Sequence, residues 1–280
     1  MTLQRRDLII WISAGAAVLL GLAVQHRLGA PASGLMVQAA GALLGAVLFV
    51  ALSRVHAPRR VSVAFGLAVL LAFITLPLVV GPELAGARRW LLLGPISIQP
   101  SMILLPLVIW LVAGPRPGVD KSLLILAAGG VLALQFDAAA LTGLTLAWLA
   151  GHARSARRSE VHVQGVAFSL AILTVWAWMR PDALPPVAWV EQVLPNAWGL
   201  GLWTGVMASL AAIIVLTPLI VLARGSQAAL SLAAFYVGLV GAALVGNYPL
   251  PVVGLGASLV LGWLIALGLA HAPIRSPPPA

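Results

Sequence analysis

Long stretches almost free of charge dominate this chain. They run over residues 8–25, 34–53, 62–81, 101–114, 162–180, 199–223, 227–246 and 252–271. A helix needs about 20 apolar residues to cross about 30 Å of hydrocarbon, and most of these runs have that length. In lipid, only α-helices and closed barrels satisfy every backbone hydrogen bond. The runs are continuous and lack the period-two alternation of a barrel. Only 8% of the residues are charged and 61% are hydrophobic, whereas a soluble domain carries about 25% charged residues. The expected fold is an all-α polytopic membrane protein, a single transmembrane helical domain over 1–280. A short cytoplasmic N-terminus, 1–7, precedes it. The tail 272–280, ending Arg-Ser-Pro-Pro-Pro-Ala, is expected to be disordered.

The segment 122–151 decides the topology. As one helix, its 30 residues would be about 45 Å long, too much for one ordinary span. Asp137 stands halfway along it, and an aspartate at the bilayer centre costs about 2.5–3.5 kcal/mol. Two short passes with Asp137 at their turn avoid that cost. The count then becomes ten spans with both termini cytoplasmic. Twelve of the 16 lysines and arginines fall inside, leaving only Arg27, Arg88, Arg89 and Arg180 outside. A single pass inverts everything after residue 151 and gives an even split. The positive-inside rule selects ten.

Net charge +9 and pI 11.7 suggest nucleic acid in a soluble protein; here the charge is topological, and no nucleic-acid partner is expected. The chain has no cysteine, and its five histidines are scattered, with no pair at helical ligand spacing, so no metal site is expected. Two arginines before the first apolar run read as the flank of a first membrane anchor.

The polar interest lies in the predicted outer segments, 82–100, 135–138, 181–198 and 247–251, which hold Glu83, Asp137, Asp182 and Glu191. The first loop reads Gly81-Pro-Glu-Leu-Ala-Gly-Ala-Arg88-Arg89-Trp90-Leu-Leu-Leu-Gly-Pro-Ile-Ser-Ile-Gln99-Pro100-Ser101. It resembles the loop G-x-x-x-x-G-A-x-R-W-L-x-L-G, followed by Q-P-S-E, of the SEDS family (FtsW, RodA and SpoVE). Leu134-Gln135-Phe136-Asp137 resembles that family's L-Q-P-D element. The segment from Pro249-Leu250-Pro251 to Gly256-Ala257-Ser258 resembles its P-L-P-F-x-S-Y-G-G-S element. The resemblance covers roughly residues 8 to 271, and the ten-span topology is also the family's.

The resemblance implies a multi-pass protein of the bacterial cytoplasmic membrane that takes part in peptidoglycan synthesis, in division or cell shape. It also implies polymerisation of an undecaprenyl-linked precursor such as lipid II. The implied partners are the bilayer and a class B penicillin-binding protein or another division or elongation protein. No cofactor is implied beyond a divalent cation that accompanies the lipid pyrophosphate. Arg88, Arg89, Trp90, Gln99, Ser101, Pro251 and Ser258 become candidate substrate-binding residues. The two arginines suit a pyrophosphate by chemistry as well; snorkelling arginines beside an interfacial tryptophan are the plainer reading.

The departures all run in one direction. The family's glutamate and lysine after Q-P-S are Met102 and Leu105 here, and its catalytic aspartate in the shortened loop 181–198 aligns with Ala188. A carboxylate must still take the proton of an acceptor hydroxyl if a glycan is made. Glu191 lies one helical turn beyond Ala188, on the same face if that segment is helical. Asp137, beside two membrane passes, is the second candidate, with a capping role as its alternative. Trp176, Trp178, Trp189, Trp198 and Trp203 read as an aromatic belt, with sugar stacking as the sharper alternative. Gly41-x-x-x-Gly45 and Gly201-x-x-x-Gly205 suit close helix packing, and Pro106 and Pro218 fall inside predicted spans. Two other functions stay open: a non-catalytic relative that binds precursor or partner, and a transporter of lipid-linked sugar.

Overall fold

The computed structural model describes residues 3–54, 60–113, 118–153, 159–180 and 184–272; the residues of the tail after Ala272 and Asp182 lie outside them. Helices α1 (Leu3–Arg27), α2 (Ala32–Leu52) and α3 (Arg60–Val80) lead into a short antiparallel hairpin, β1 (Leu91–Leu93) and β2 (Ile96–Ile98). There follow α4 (Pro100–Val112), α5 (Val119–Leu134), α6 (Ala138–His152) and α7 (Val161–Trp178). The short α8 (Val193–Leu200) precedes α9 (Leu202–Ala223), α10 (Gln227–Val245) and α11 (Ala257–His271). Among the described residues, five helices are long and apolar enough to cross a membrane: Asp7–Arg27, Ala32–Leu52, Val161–Trp178, Leu202–Ala223 and Gln227–Val245. Exposed Leu43, Phe65, Phe168 and Ile213 on a bundle of this hydropathy make it an integral membrane protein.

The segment 122–151, expected as two short passes, is two helices. Gln135 and Phe136 end α5, and Phe136 takes a φ of +54°, a left-handed conformation that a phenylalanine adopts only when its surroundings enforce it. Asp137 then caps α6, its Oδ1 accepting the Ala140 N–H at 3.0 Å. This stabilises the new helix start typically by about 1 kcal/mol. Rather than lying open at a turn, Asp137 is 1% exposed.

Close packing uses small residues. Gly41 and Gly45 of α2 lie against Ala257 and Leu264 of α11; a methyl at residue 45 would come within 2.6 Å of the Leu264 side chain. Gly143 of α6 faces Gly238 of α10, whose added Cβ would sit 2.7 Å from the Gly143 Cα. Gly201, by contrast, is no packing glycine. It has a φ of +131° and separates α8 from α9, a conformation that favours glycine. The buried indoles Trp148 and Trp263 each donate to a backbone carbonyl of a neighbouring helix, Val163 O and Val215 O, at 3.1 Å. Helices α4 and α9 run through Pro106 and Pro218, and α3 also contains Pro77.

Candidate functional site

The loop 81–99 carries its own local structure, although most of its residues are exposed. A bridge pairs Leu84 with Ala87, and the β1–β2 hairpin turns at Gly94, φ +61°. Its strands, Leu-Leu-Leu and Ile-Ser-Ile, are too short to declare a period in the sequence. They place Arg89 and Trp90 on one side of the turn and Gln99 on the other.

Adjacent arginines point apart. Arg88 is exposed; its Nε and Nη2 donate to Glu83 Oε2 at 3.1 and 2.8 Å. Arg89 is 5% exposed and donates from Nε to Gln135 O at 3.2 Å. Its guanidinium carbon stands 5.3 Å from the Trp90 ring centre and 5.8 Å from that of Tyr248, within cation–π range. Gln135, fully buried, donates to Ile74 O at 2.7 Å. The α5–α6 break is thereby tied to α3 and to the hairpin loop.

Gln99 links three elements. Its side-chain amide donates to Asp137 Oδ2 at 2.8 Å, and its backbone N–H to Ser258 Oγ at 2.9 Å. Both Asp137 oxygens therefore accept hydrogen bonds. The segment 246–256 closes this arrangement, held from behind by two buried glutamines that no motif in the sequence singles out. Gln25 of α1 donates to Val253 O at 2.9 Å, and Gln38 of α2 to Val252 O at 2.8 Å. Gln38 Oε1 also accepts the Gly256 N–H at 2.6 Å. Val252 has a φ of +67°, a strained value for a β-branched residue. A polar side chain inside an apolar helix was the signal available for both glutamines.

Together these parts enclose a cavity of about 170 Å³ whose walls include Arg89, Trp90, Gln99, Asp137, Glu191 and Ser258. Ser97, Asn247 and Tyr248, not among the sequence candidates, also contribute to its polar lining. Glu191 enters on a turn rather than a helix: its Oε2 accepts the Val187 N–H at 2.8 Å. That turn is fastened to segment 246–256 by the Leu255 N–H donating to Trp189 O at 2.9 Å. Ala188 is half-buried in the same turn and is not part of the cavity wall.

Three candidates stand apart. Arg88 is turned to Glu83. Ser101 is buried in the first turn of α4, its hydroxyl without a hydrogen-bond partner among the described residues. Pro251 is buried and is not part of the cavity wall. Leu105 is fully buried and apart from the cavity, whereas Met102, 4% exposed, forms part of the cavity wall. Among the described residues, no three His, Asp or Glu side chains are grouped to hold a metal ion. The cavity offers one guanidinium, two carboxylates, two amides, hydroxyls and two aromatic rings, a set suited to a hydroxyl-rich ligand.

Comparisons with known proteins agree with this architecture. The FtsW/RodA/SpoVE family, described as cell cycle proteins, matches residues 7–115. No curated protein matches the chain. The crystal structure of the rod-shape-determining protein RodA of Thermus thermophilus matches at 24% identity and TM-score 0.69, over 94% of this chain and 95% of that one. An aspartate-to-alanine mutant of the same RodA matches at the same identity and TM-score, with 96% of its chain covered. A chain from a peptidoglycan synthase complex that coordinates polymerization and crosslinking matches at 24% identity and TM-score 0.64, over 94% and 95%. At this identity the structural matches speak for the fold. The family match covers the hairpin loop from Gly81 to Ser101.

Proposed function

We propose, from the FtsW/RodA/SpoVE family model that matches residues 7–115 and from the RodA-like fold, that this chain is a member of that family and a membrane protein of peptidoglycan synthesis that joins lipid-linked sugars into glycan. The carrying observation is the cavity that gathers Arg89, Trp90, Gln99, Asp137, Glu191 and Ser258 from separate parts of the chain. In this reading, ten spans cross the bacterial cytoplasmic membrane with both termini inside, so the cavity faces outward. The substrate is an undecaprenyl-linked precursor such as lipid II, and the partner is a transpeptidase of the class B penicillin-binding type.

The chemistry follows from the side chains. The acceptor hydroxyl oxygen bonds to the anomeric carbon of the donor while the bond from that carbon to the pyrophosphate oxygen breaks. The pyrophosphate leaves with the bonding pair, and the hydroxyl proton passes to a carboxylate. Glu191 is the better base. Asp137 already accepts from Ala140 and Gln99 and holds the start of α6, which makes it a positioning residue. Arg89 supplies positive charge as the pyrophosphate departs. The test is lipid II polymerisation by the purified protein, alone and with its transpeptidase, against Glu191→Gln. Glycan made by the native chain and lost in the variant supports the reading. No glycan from the native chain, where another family member succeeds, sinks it.

A second reading has its own observation. Met102, Leu105 and Ala188 stand where the family resemblance expects charged groups; Met102 lines the cavity with a thioether, and Leu105 is fully buried. In this reading the cavity binds precursor without turning it over. Arg89-dependent lipid II binding without product would favour it.

A further inference from the structure

The α5–α6 turn has two sides. Gln135 and Asp137 serve Arg89 and the cavity, whereas Phe136 between them is no part of the cavity wall and packs on α7. Its ring centre lies 6.0 Å from that of Trp176. The Arg180 guanidinium, just past the end of α7, stands 4.1 Å from the Trp176 ring centre and 4.9 Å from that of Phe136. Both distances are within cation–π range.

Two features separate this cluster from an ordinary surface arginine. Phe136 takes part in it at a left-handed φ of +54°, a costly conformation for a residue other than glycine. The L-Q-P-D element that this turn resembles has proline at the same place. A proline ring fixes φ at about −65°, so the aromatic turn is this chain's own. Arg180 is exposed, and its guanidinium donates to no acceptor among the described residues. Two rings hold the cation in place and leave its N–H groups to a ligand.

The surroundings point to the kind of ligand. Helix α7 is long and apolar enough to cross a membrane, so its last turn lies where hydrocarbon meets headgroups. Phe168, Ile172, Trp176 and Arg180 recur at every fourth position, one ridge of the helix. Phe168 and Ile172 are exposed. From residue 168 to 180 the ridge runs about 18 Å, close to half of a hydrocarbon core of about 30 Å.

We propose that Phe136, Trp176 and Arg180 form a site for the phosphate of an anionic membrane phospholipid such as phosphatidylglycerol. A guanidinium presents parallel N–H groups to phosphate oxygens, and a side chain already ordered by its neighbours loses little freedom on binding. An acidic peptide would satisfy the charge but not the apolar ridge. A neutral sugar would use the rings but not the cation. The occupied site ties α7 to the turn that carries Gln135 and Asp137.

The test uses the full chain in detergent, titrated with short-chain phosphatidylglycerol, short-chain phosphatidylcholine or inorganic phosphate. Bound lipid is counted by native mass spectrometry, and the unfolding midpoint is followed alongside. Phosphatidylglycerol is expected to bind the native chain and raise its midpoint, and neither of the other two should match it. Arg180→Ala should lower the affinity about tenfold. Arg180→Lys should recover little of it, since an ammonium lacks the planar fork and stacks poorly. Phe136→Gly removes the ring yet suits the left-handed φ, so it should weaken binding in a folded chain. Arg27→Ala, at another exposed arginine, should bind as the native chain does. Equal binding of the two phospholipids, or native affinity in Arg180→Ala, overturns the site. An equal loss in Arg27→Ala does so too, since it marks diffuse charge attraction. Inorganic phosphate binding as tightly as phosphatidylglycerol overturns the lipid assignment.

Discussion

Gln99 reaches across from the entrance of α4 to donate to Asp137 Oδ2 at 2.8 Å, at the start of α6. The acceptor is 1% exposed, and a hydrogen bond is electrostatically stronger in such a low-dielectric setting than in water. Hydrogen bonds to a charged group contribute about 1.5–3 kcal/mol. Gln99→Ala is expected to lower the unfolding free energy in detergent by about that amount. In combination with Asp137→Asn the losses should be less than additive, since each removes part of the same contact. A double-mutant cycle by chemical denaturation measures the coupling, and full additivity would show that the two side chains act separately.

Gln38 closes the opposite side of the site by donating to Val252 O and accepting from Gly256 N. Gln38→Leu removes both bonds and strands a buried donor, each such loss costing about 1–3 kcal/mol. Because the two bonds anchor a left-handed Val252, the loss should appear locally. Amide hydrogen exchange is expected to quicken across 246–256 while α6 and α10 keep their protection. Uniform exchange across all helices would contradict the local anchoring.

Why some of this was legible in the sequence and some was not is a matter of what each residue pattern determines. The apolar runs declared the helices because span length is set by bilayer thickness. The α5–α6 break was legible because 30 residues are too long for one span and because Asp137 is costly in the middle of one. Which of Arg88 and Arg89 faces inward could not be read, because the direction depends on the loop's path between Gly81 and Gly94, which the surrounding helices set. Gln25 and Gln38 were hidden for a related reason: one amide in an apolar helix shows neither which way it faces nor which carbonyl it meets. Gly201-x-x-x-Gly205 matched a packing motif whose first glycine in fact serves a φ of +131°, so the same letters carry two physical roles.

The two arginines give a direct contrast. Arg88 pairs with Glu83 at 2.8 Å with both side chains about half exposed, and exposed pairs contribute only about 0–1 kcal/mol. Arg88→Ala should leave precursor binding within experimental error and stability nearly unchanged. Arg89→Ala should abolish binding of the undecaprenyl-linked precursor. Arg89→Lys should restore it poorly, because an ammonium cannot keep both the Gln135 carbonyl and the stacking on Trp90 and Tyr248. Titration of the fluorescent precursor into the three variants separates these outcomes.

Ser101 offers a test that distinguishes packing from recognition. Its hydroxyl is buried and lacks a hydrogen-bond partner among the described residues, and such a group costs about 1–3 kcal/mol in desolvation. Ser101→Ala is expected to raise thermal stability by up to about 1 kcal/mol and to leave activity unchanged. A loss of activity at unaltered stability would place the serine in substrate contact instead.

The two carboxylates of the cavity should separate by the kind of damage their removal does. Asp137 caps α6 through Ala140 and receives Gln99, so Asp137→Asn alters a buried network and should destabilise the fold by about 1–3 kcal/mol. Glu191 sits half-buried on a turn, with Oε2 accepting the Val187 N–H. Glu191→Gln preserves shape and can still accept that bond, so its unfolding midpoint should stay near native. If Glu191 takes the proton of the acceptor hydroxyl, the same variant loses glycan formation by about 10²–10⁴-fold, while precursor binding persists. Measuring unfolding, binding and glycan yield on both variants separates the roles. Glycan formation that survives in Glu191→Gln but vanishes in a folded Asp137→Asn would move the base to α6.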